Sequence, residues 1–250
     1  MSHTIQCGFF YSLPFEGYKS LPGMNQSKLK QLLSSPSKQK RGYKIQQAMN
    51  FGNAGHCLLL EPHKFKELYV SAPKDLSRRG KNGRKSWKEF CEIHSGKNVL
   101  TATEWEQLQK IRKVFHINPK IMQFWKHGET EVSIFWDDDE LNLDCKARMD
   151  WYDADSMKIV DLKFTNNISK LCNQKLIDQH FSVQAAWYRR GVYELTGRAC
   201  DFLFIFIEKY SPHIIRVIKA NEEIIKHGEQ TILGAIKNTI TKHDEKSKTS

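Results

Sequence analysis

The chain has 250 residues, enough for one large domain, and its 40% hydrophobic and 11% aromatic content supports a packed core rather than a disordered chain. A net charge of +11 and a pI of about 9.3 point to a polyanionic partner, nucleic acid before membrane. No apolar run approaches the ~20 residues of a membrane helix, and Met1–Phe10 lacks the pattern of a secretory signal, so the expected location is the cytoplasm.

In chain order, residues 1–45 read as an irregular lead-in, with Pro14, Gly17, Pro22 and Gly23 breaking regular structure between Tyr11 and Gly23. Asn25 or Ser27 can cap a short helix through Leu33, stopped by Ser34–Ser37. The apolar stripe Phe51, Ala54, Cys57, Leu58, Leu59 predicts a helix over 50–60 that ends before Pro62. Residues 74–88 read as a mobile basic loop, with Arg78, Arg79, Lys81, Arg84 and Lys85 among Gly80, Asn82 and Gly83. Such a run is either a solvated surface or a set of phosphate contacts. Thr103, with Glu106 three residues later, predicts a capped helix through Phe115.

Strands follow at 131–136, 143–151 and 158–164, the last two joined by a hairpin at Asp153–Ser156. A helix over 176–195 closes on Gly197. Strands at 202–208 and 213–218 and a final amphipathic helix over 221–240 complete the pattern, with 243–250 as a disordered tail. Helix, strand meander, helix, strands, helix is an α/β plan: one domain with a mixed central sheet flanked by helices. The six cysteines are spread out, and none follows Cys200, which argues against a zinc ribbon and an iron–sulfur cluster.

Chemistry concentrates on two strands. In Ile159-Val160-Asp161-Leu162-Lys163, alternation puts Asp161 and Lys163 on one face. On the preceding strand Asp144, Lys146, Arg148 and Asp150 share a face, and the short hairpin can bring Asp150 beside Asp161. Two adjacent carboxylates repel unless a hard cation such as magnesium lies between them. A nearby lysine can orient water or stabilise phosphate charge, which together suits phosphodiester hydrolysis. The alternative is a pair of surface aspartates neutralised by Arg148 and Lys146.

Asp150 followed by Asp161-Leu162-Lys163 resembles the PD-(D/E)XK nuclease signature. Arg148-Met149-Asp150-Trp151, the stretch Gly52–Pro62 around His56, Glu131–Trp136, Gln184-Ala185-Ala186-Trp187-Tyr188 and Leu21-Pro22-Gly23 narrow the resemblance to RecE-like exonucleases of phages and prophages, over about residues 11–240. Met149 and Phe164 depart from residues common in that group, which has proline and threonine there. The resemblance implies the PD-(D/E)XK core and metal binding by Asp150, Asp161 and the Leu162 backbone carbonyl. His56 would be a ligand or position one, and Glu131 would be an additional acid. It implies that Lys163 acts on water or phosphate, and that Gln184 and Tyr188 face the site. It further implies Mg²⁺, with Mn²⁺ able to substitute, and action on ends of double-stranded DNA, one strand degraded 5′ to 3′. A ring-like homo-oligomer and a single-strand annealing partner of the RecT kind, in phage-type recombination within a bacterial or infected cytoplasm, complete the expectation. An endonuclease of the same superfamily and a non-catalytic DNA-binding recombination protein remain the alternatives.

Overall fold

A computed structural model describes residues 6–33 and 43–248, with the main chain only at 43–48 and 239–248. Its elements in order are β1 (Gly8–Phe10), α1 (Phe15–Ser20), α2 (Gln26–Leu32), α3 (Tyr43–Leu60), α4 (Pro62–Leu68), β2 (Tyr69–Ser71), α5 (Gly80–Ile93), β3 (Asn98–Leu100), α6 (Ala102–Ile117), α7 (Pro119–Trp125), β4 (Glu129–Asp138), β5 (Leu143–Asp153), β6 (Lys158–Thr165), α8 (Asn173–Asp178), α9 (Phe181–Thr196), β7 (Asp201–Glu208), β8 (Ile215–Lys219) and α10 (Glu222–Lys248). Six strands form one sheet in the order β1-β4-β5-β6-β7-β8. Only the β6–β7 pair is parallel, because α8 and α9 carry the chain across between them; β2 and β3 make a separate parallel pair. This is the expected mixed sheet between helical layers.

Both faces of the sheet are covered, which explains the near-continuous apolar runs of β6 and β7. One layer packs α2, α8, α9 and α10 on Ile134, Ala147, Ile159, Phe204 and Phe206. The other packs α3, α4, α6 and α7 on Trp151, Val160, Leu162, Ile205 and Ile207. Val160 and Leu162 thus face one layer while Asp161 lies buried against the other. Among the described residues, no helix is long and apolar enough to cross a membrane.

Several expectations need correction. The lead-in is more regular than its Pro and Gly residues suggest: β1 joins the sheet edge, and α1 forms after Pro14. It is pinned by Lys146, whose Nζ donates to the carbonyls of Tyr18 (2.8 Å) and Leu21 (2.5 Å), and by Arg148, which donates to the Leu13 carbonyl (2.7 Å). Asn25 caps α2, accepting from Lys28 N at 2.9 Å. The predicted stop at Ser34–Ser37 lies outside the described residues.

The stretch read as a basic loop is in large part helix α5. Gly80, Gly83 and the charges masked the spacing of Trp87, Phe90, Cys91 and His94, which makes a half-buried stripe. Gly83 is needed there, because a Cβ would stand 2.7 Å from the Ser77 carbonyl oxygen. The cap of α6 is Thr101 with Glu104, a complete capping box two residues before the expected one. Glu106 instead pairs with Lys74 at 2.7 Å. The helix α10 backbone continues to Lys248 rather than ending at Ile240, since no Gly or Pro interrupts 241–248.

Candidate active site

Strict alternation along β5 fails at Asp150. Cys145, Ala147 and Met149 face the α9 layer, but beyond Asp150 it is Tyr152 that does so, while Trp151 faces the α3 layer. On β4, Val132, Ile134 and Trp136 face the α9 layer, whereas the Thr130 hydroxyl donates to the Leu60 carbonyl at the end of α3. The reversal is opposite Glu131, whose φ of 57° is unusual for a residue with a side chain and drops it out of the ladder between Thr130↔Trp151 and Val132↔Met149. The β5–β6 ladder stops at Trp151↔Val160, one step short of Asp150 and Asp161. β5 and β6 part there, and the Leu162 N–H donates to Asp150 Oδ2 at 2.7 Å.

The two layers reach this gap from opposite sides. From α3, His56 Nδ1 lies 3.3 Å from Asp150 Oδ2. From α9, Gln184 Nε2 donates to Asp161 Oδ1 at 2.5 Å. Lys163 Nζ approaches Asp161 Oδ2 at 2.5 Å, but off the axis of a hydrogen bond, so this buried oxygen has no aligned donor; nor does Gln184 Oε1. Tyr188, one turn beyond Gln184, is buried beside both acids; burial first, then Tyr18 and the two aspartates, hold its phenol well above its usual range.

The electrostatics separates the two carboxyls. Burial pushes both up. For Asp150 this is outweighed by His56, Lys163 and the Leu162 N–H, so it stays below the usual carboxylate range. For Asp161 burial wins against Lys163, helped by the charge of Asp150, and it is raised. His56 is raised although burial opposes it, because Asp150 favours its protonated form.

Gly55 explains why Phe164 is accommodated after the motif lysine. The Phe164 ring lies where a Cβ on Gly55 would be, 2.2 Å from its nearest atom, and 5.8 Å from the His56 ring. Glu131 is close enough to Asp150 to feel its charge, but its Oε2 is held by Arg148 Nε at 2.5 Å; burial, then Asp150, raise it. Arg148 and Lys146 are thus occupied by Glu131 and the lead-in carbonyls, which removes the reading in which they neutralise surface aspartates.

Among the described residues, no group of three or more His, Cys, Asp or Glu side chains stands ready-arranged around a metal ion. What the gap offers is an oxygen set: the Asp150 and Asp161 carboxylates and Gln184 Oε1, with the Leu162 backbone against Asp150. Oxygen acceptors of this kind suit a hard cation that keeps some of its waters. His56 contacts Asp150 here.

The basic residues expected to touch DNA divide. Arg78 stacks on Trp87, 3.9 Å from guanidinium to ring centre, and lies 3.8 Å from Glu104, so it ties α5 to α6. Arg79, Lys81, Arg84 and Lys85 are exposed, and Lys85 pairs with Glu89 at 3.9 Å. Lys30 and Phe181, not singled out from sequence, also border the site. Lys30 Nζ lies 5.6 Å from the centre of the Phe181 ring, and Lys163 Nζ 5.3 Å from the same ring. Lys30 sits in the lead-in, away from any motif, so only tertiary packing reveals it.

A six-stranded mixed sheet between helical layers, with Asp150, Asp161 and Lys163 where two strands part, is the PD-(D/E)XK nuclease plan. The family described as a PDDEXK-like domain of unknown function (DUF3799) matches residues 17–250, and the chain belongs to that family. The crystal structure of a "putative exonuclease" from Eubacterium rectale is similar in fold, with a TM-score of 0.56 at 17% identity over 80% of this chain and 70% of that one. SSO0001 aligns at 16% identity over 75% of this chain and 85% of that one, with a TM-score of only 0.32. None of the curated proteins compared matches the chain.

Proposed function

We propose that this protein is a magnesium-dependent deoxyribonuclease, an exonuclease of the RecE-like kind that degrades one strand of linear duplex DNA from its 5′ end. The observation that carries the catalytic reading is the meeting of a partly buried Asp150 and a buried Asp161 at the parted strands, with Lys163 beside Asp161. Asp161 Oδ2 meets the Lys163 ammonium out of hydrogen-bond alignment, and Gln184 Oε1 has no aligned partner, so neither oxygen is fully satisfied. Asp150, Asp161 and the Leu162 carbonyl would hold the ion, with Mn²⁺ as a substitute. When bound, it supplies the positive charge that offsets the carboxylates and the phosphate.

The chain's own groups do the rest. His56 and the Leu162 N–H fix Asp150, and Gln184 fixes Asp161. The Lys163 ammonium can hold a phosphate oxygen or the attacking water. Hydrolysis adds the water's hydroxyl to phosphorus and its proton to the departing sugar oxygen. Tyr188 is buried and fully protonated at neutral pH, so it acts as a hydrogen-bonding wall rather than a base.

Exonuclease action and 5′ polarity rest on the sequence resemblance. A ring-like oligomer, a RecT-type annealing partner and a role in recombination in the cytoplasm belong to the same proposal. An endonuclease would use the same groups. The test is digestion of end-labelled linear and closed circular duplex with Mg²⁺. Release of the 5′ label from linear DNA, with circles spared, is the expected result. Lys163→Ala and Asp150→Ala should abolish cleavage but retain DNA binding. Nicking of circles would favour the endonuclease, and equal activity in Asp161→Ala would overturn the catalytic reading.

A further inference from the structure

We infer that the outer edge of β8 is a docking site for an extended acidic segment of a partner protein, which adds a further strand to the sheet; this stands apart from the nuclease reading. β8 is the last strand of the sheet, and β7 is its strand partner among the described residues. The backbone bonds of β7 show which groups that leaves free. Its odd-numbered residues face β6: Asp201 N donates to the Met157 carbonyl at 2.8 Å, and Lys209 N, just past its end, to the Thr165 carbonyl at 2.9 Å. Its even-numbered residues face β8: Glu208 N donates to the Ile214 carbonyl at 2.9 Å, and the Phe202 carbonyl accepts from Ala220 N at 2.8 Å. An antiparallel ladder alternates bonded and non-bonded pairs. The unbroken register from Leu203↔Lys219 to Ile207↔Ile215 therefore turns the N–H and C=O groups of Arg216 and Ile218 towards β7, and those of Ile215, Val217 and Lys219 outward.

Charge usually guards such an edge, and at one end of β8 Lys219 does so, paired with Asp201 at 2.8 Å. The other end is built differently. There a groove of about 560 Å³ runs between residues 214–217 and the start of α7. Ile215 and Val217 in its wall are only half-buried, Ile214 is exposed, and so is Ile117 just before α7. Lys120 and Arg216 also line the groove; both are exposed and, among the described residues, in no ion pair. Glu208, the acid in the lining, accepts from the Ile168 N–H at 2.7 Å. Backbone donors and acceptors in strand register, aliphatic walls and two cations outside any ion pair fit a chain that is extended and alternates aliphatic with acidic side chains. A second copy of β8 fits less well, since self-pairing gathers Arg216 and Lys219 with their own equivalents. A nucleic-acid strand also fits less well: no aromatic ring lines the groove for a base to stack on, and the outward carbonyls repel phosphate.

The probe is a fluorescein-labelled heptapeptide that alternates valine with glutamate, titrated into the full-length protein and followed by anisotropy. A dissociation constant on the order of 10–100 µM is expected for so short a strand. The same peptide with lysine for glutamate, or with alternate backbone nitrogens methylated, should not bind. Lys120→Glu together with Arg216→Glu should weaken binding more than about 10-fold. Val217→Pro removes an outward N–H and no bond to β7, so it should weaken binding about 5-fold while the melting temperature stays within a few degrees. In the unaltered protein the probe should slow hydrogen exchange at the N–H groups of Ile215, Val217 and Lys219, which tests the edge without any variant. No binding up to about 1 mM, unchanged exchange at these amides under saturating probe, undiminished affinity of the methylated peptide, or equal binding by the charge-reversed protein would each overturn the inference. So would a single-stranded oligothymidylate that displaces the peptide and protects the same amides, since the groove would then belong to nucleic acid.

Discussion

Replacing Asp161 by Asn separates a metal site from a structural ion pair. Without metal, Asp161 is a buried carboxylate with Asp150 for a neighbour, one donor from Gln184 and one misaligned ammonium. Asn keeps an acceptor for Gln184 and removes the charge. The group left without its partner is Lys163, whose side chain is 22% exposed and can be solvated, so the loss should be about 1 kcal/mol. Relief of the buried charge offsets that, so in EDTA the variant should melt within about 2–3 °C of the wild type, at the roughly 2–4 °C per kcal/mol of a chain this size. Magnesium at ten times its dissociation constant should stabilise the wild type by about 1.4 kcal/mol, or roughly 3–6 °C. It should leave Asp161→Asn unmoved and inactive. Differential scanning fluorimetry with and without Mg²⁺, alongside cleavage of labelled duplex, makes the comparison. A destabilisation of about 3–5 kcal/mol in EDTA, as when a buried ion pair is broken, together with an unchanged magnesium shift, would refute the reasoning.

Gly55→Ala should cost about 1–3 kcal/mol by overpacking, since its Cβ would meet the Phe164 ring at 2.2 Å. The displaced ring should disturb His56 and lower cleavage more than 10-fold; Phe164→Leu in the same chain should restore melting temperature. Arg190→Ala leaves Asp138 fully buried without the donors at 2.5 and 2.7 Å, and should lower stability by about 3–5 kcal/mol in urea unfolding. Although burial raises the Asp138 carboxyl, Arg190, the Leu141 N–H and Trp136 outweigh it and hold it low. Its contribution is therefore full above the usual carboxylate range and lost as pH falls through its depressed value. Asp138→Asn should accordingly flatten the loss of stability between pH 5 and pH 2. Changing Lys81, Arg84 and Lys85 of α5 to Gln should weaken duplex binding and flatten its salt dependence, whereas Arg78→Ala should chiefly lower the melting temperature.

Strands β5 and β6 were legible because hairpin and motif lie close in the chain: Asp153–Ser156 turns β5 into β6, and Asp161 and Lys163 share a face whatever covers it. What alternation could not reveal is the reversal at Asp150. A strict period of two assigns Asp150 to the face of Lys146 and Arg148, but the left-handed backbone of Glu131 on the neighbouring strand breaks that period. Two overlapping capping-box matches, Thr101 with Glu104 and Thr103 with Glu106, cannot be ranked by pattern; the ion pairs of Lys74 and Arg78 show how each acid is used. Helix α5 was hidden by its charge, since none of its residues is fully buried and its apolar stripe is only half covered. Lys146 and Arg148 looked like surface cations because both donate to backbone carbonyls more than 100 residues away, and Arg148 also to Glu131 and Ser133 on the next strand.

The two aspartates are not equivalent, and the difference bears on which one a cation would engage. Asp150 is settled by the fold itself: a backbone N–H from β6 and the His56 imidazole from α3 meet its Oδ2, and its carboxyl is held low. Asp161 has one donor, from the opposite layer, and its carboxyl is raised despite the lysine beside it. A buried acid left this way lowers the stability of the free protein, since nothing in the fold compensates its charge fully. Such a cost is retained where a ligand removes it. The free protein thus holds Asp150 in place as a fixed reference, while Asp161 has only Gln184 and the misaligned Lys163 ammonium. On the proposed function, magnesium stabilisation should accordingly depend more steeply on Asp161 than on His56. His56→Ala should keep part of the thermal shift that Asp161→Asn loses entirely, and an equal loss in both would place the histidine among the direct ligands.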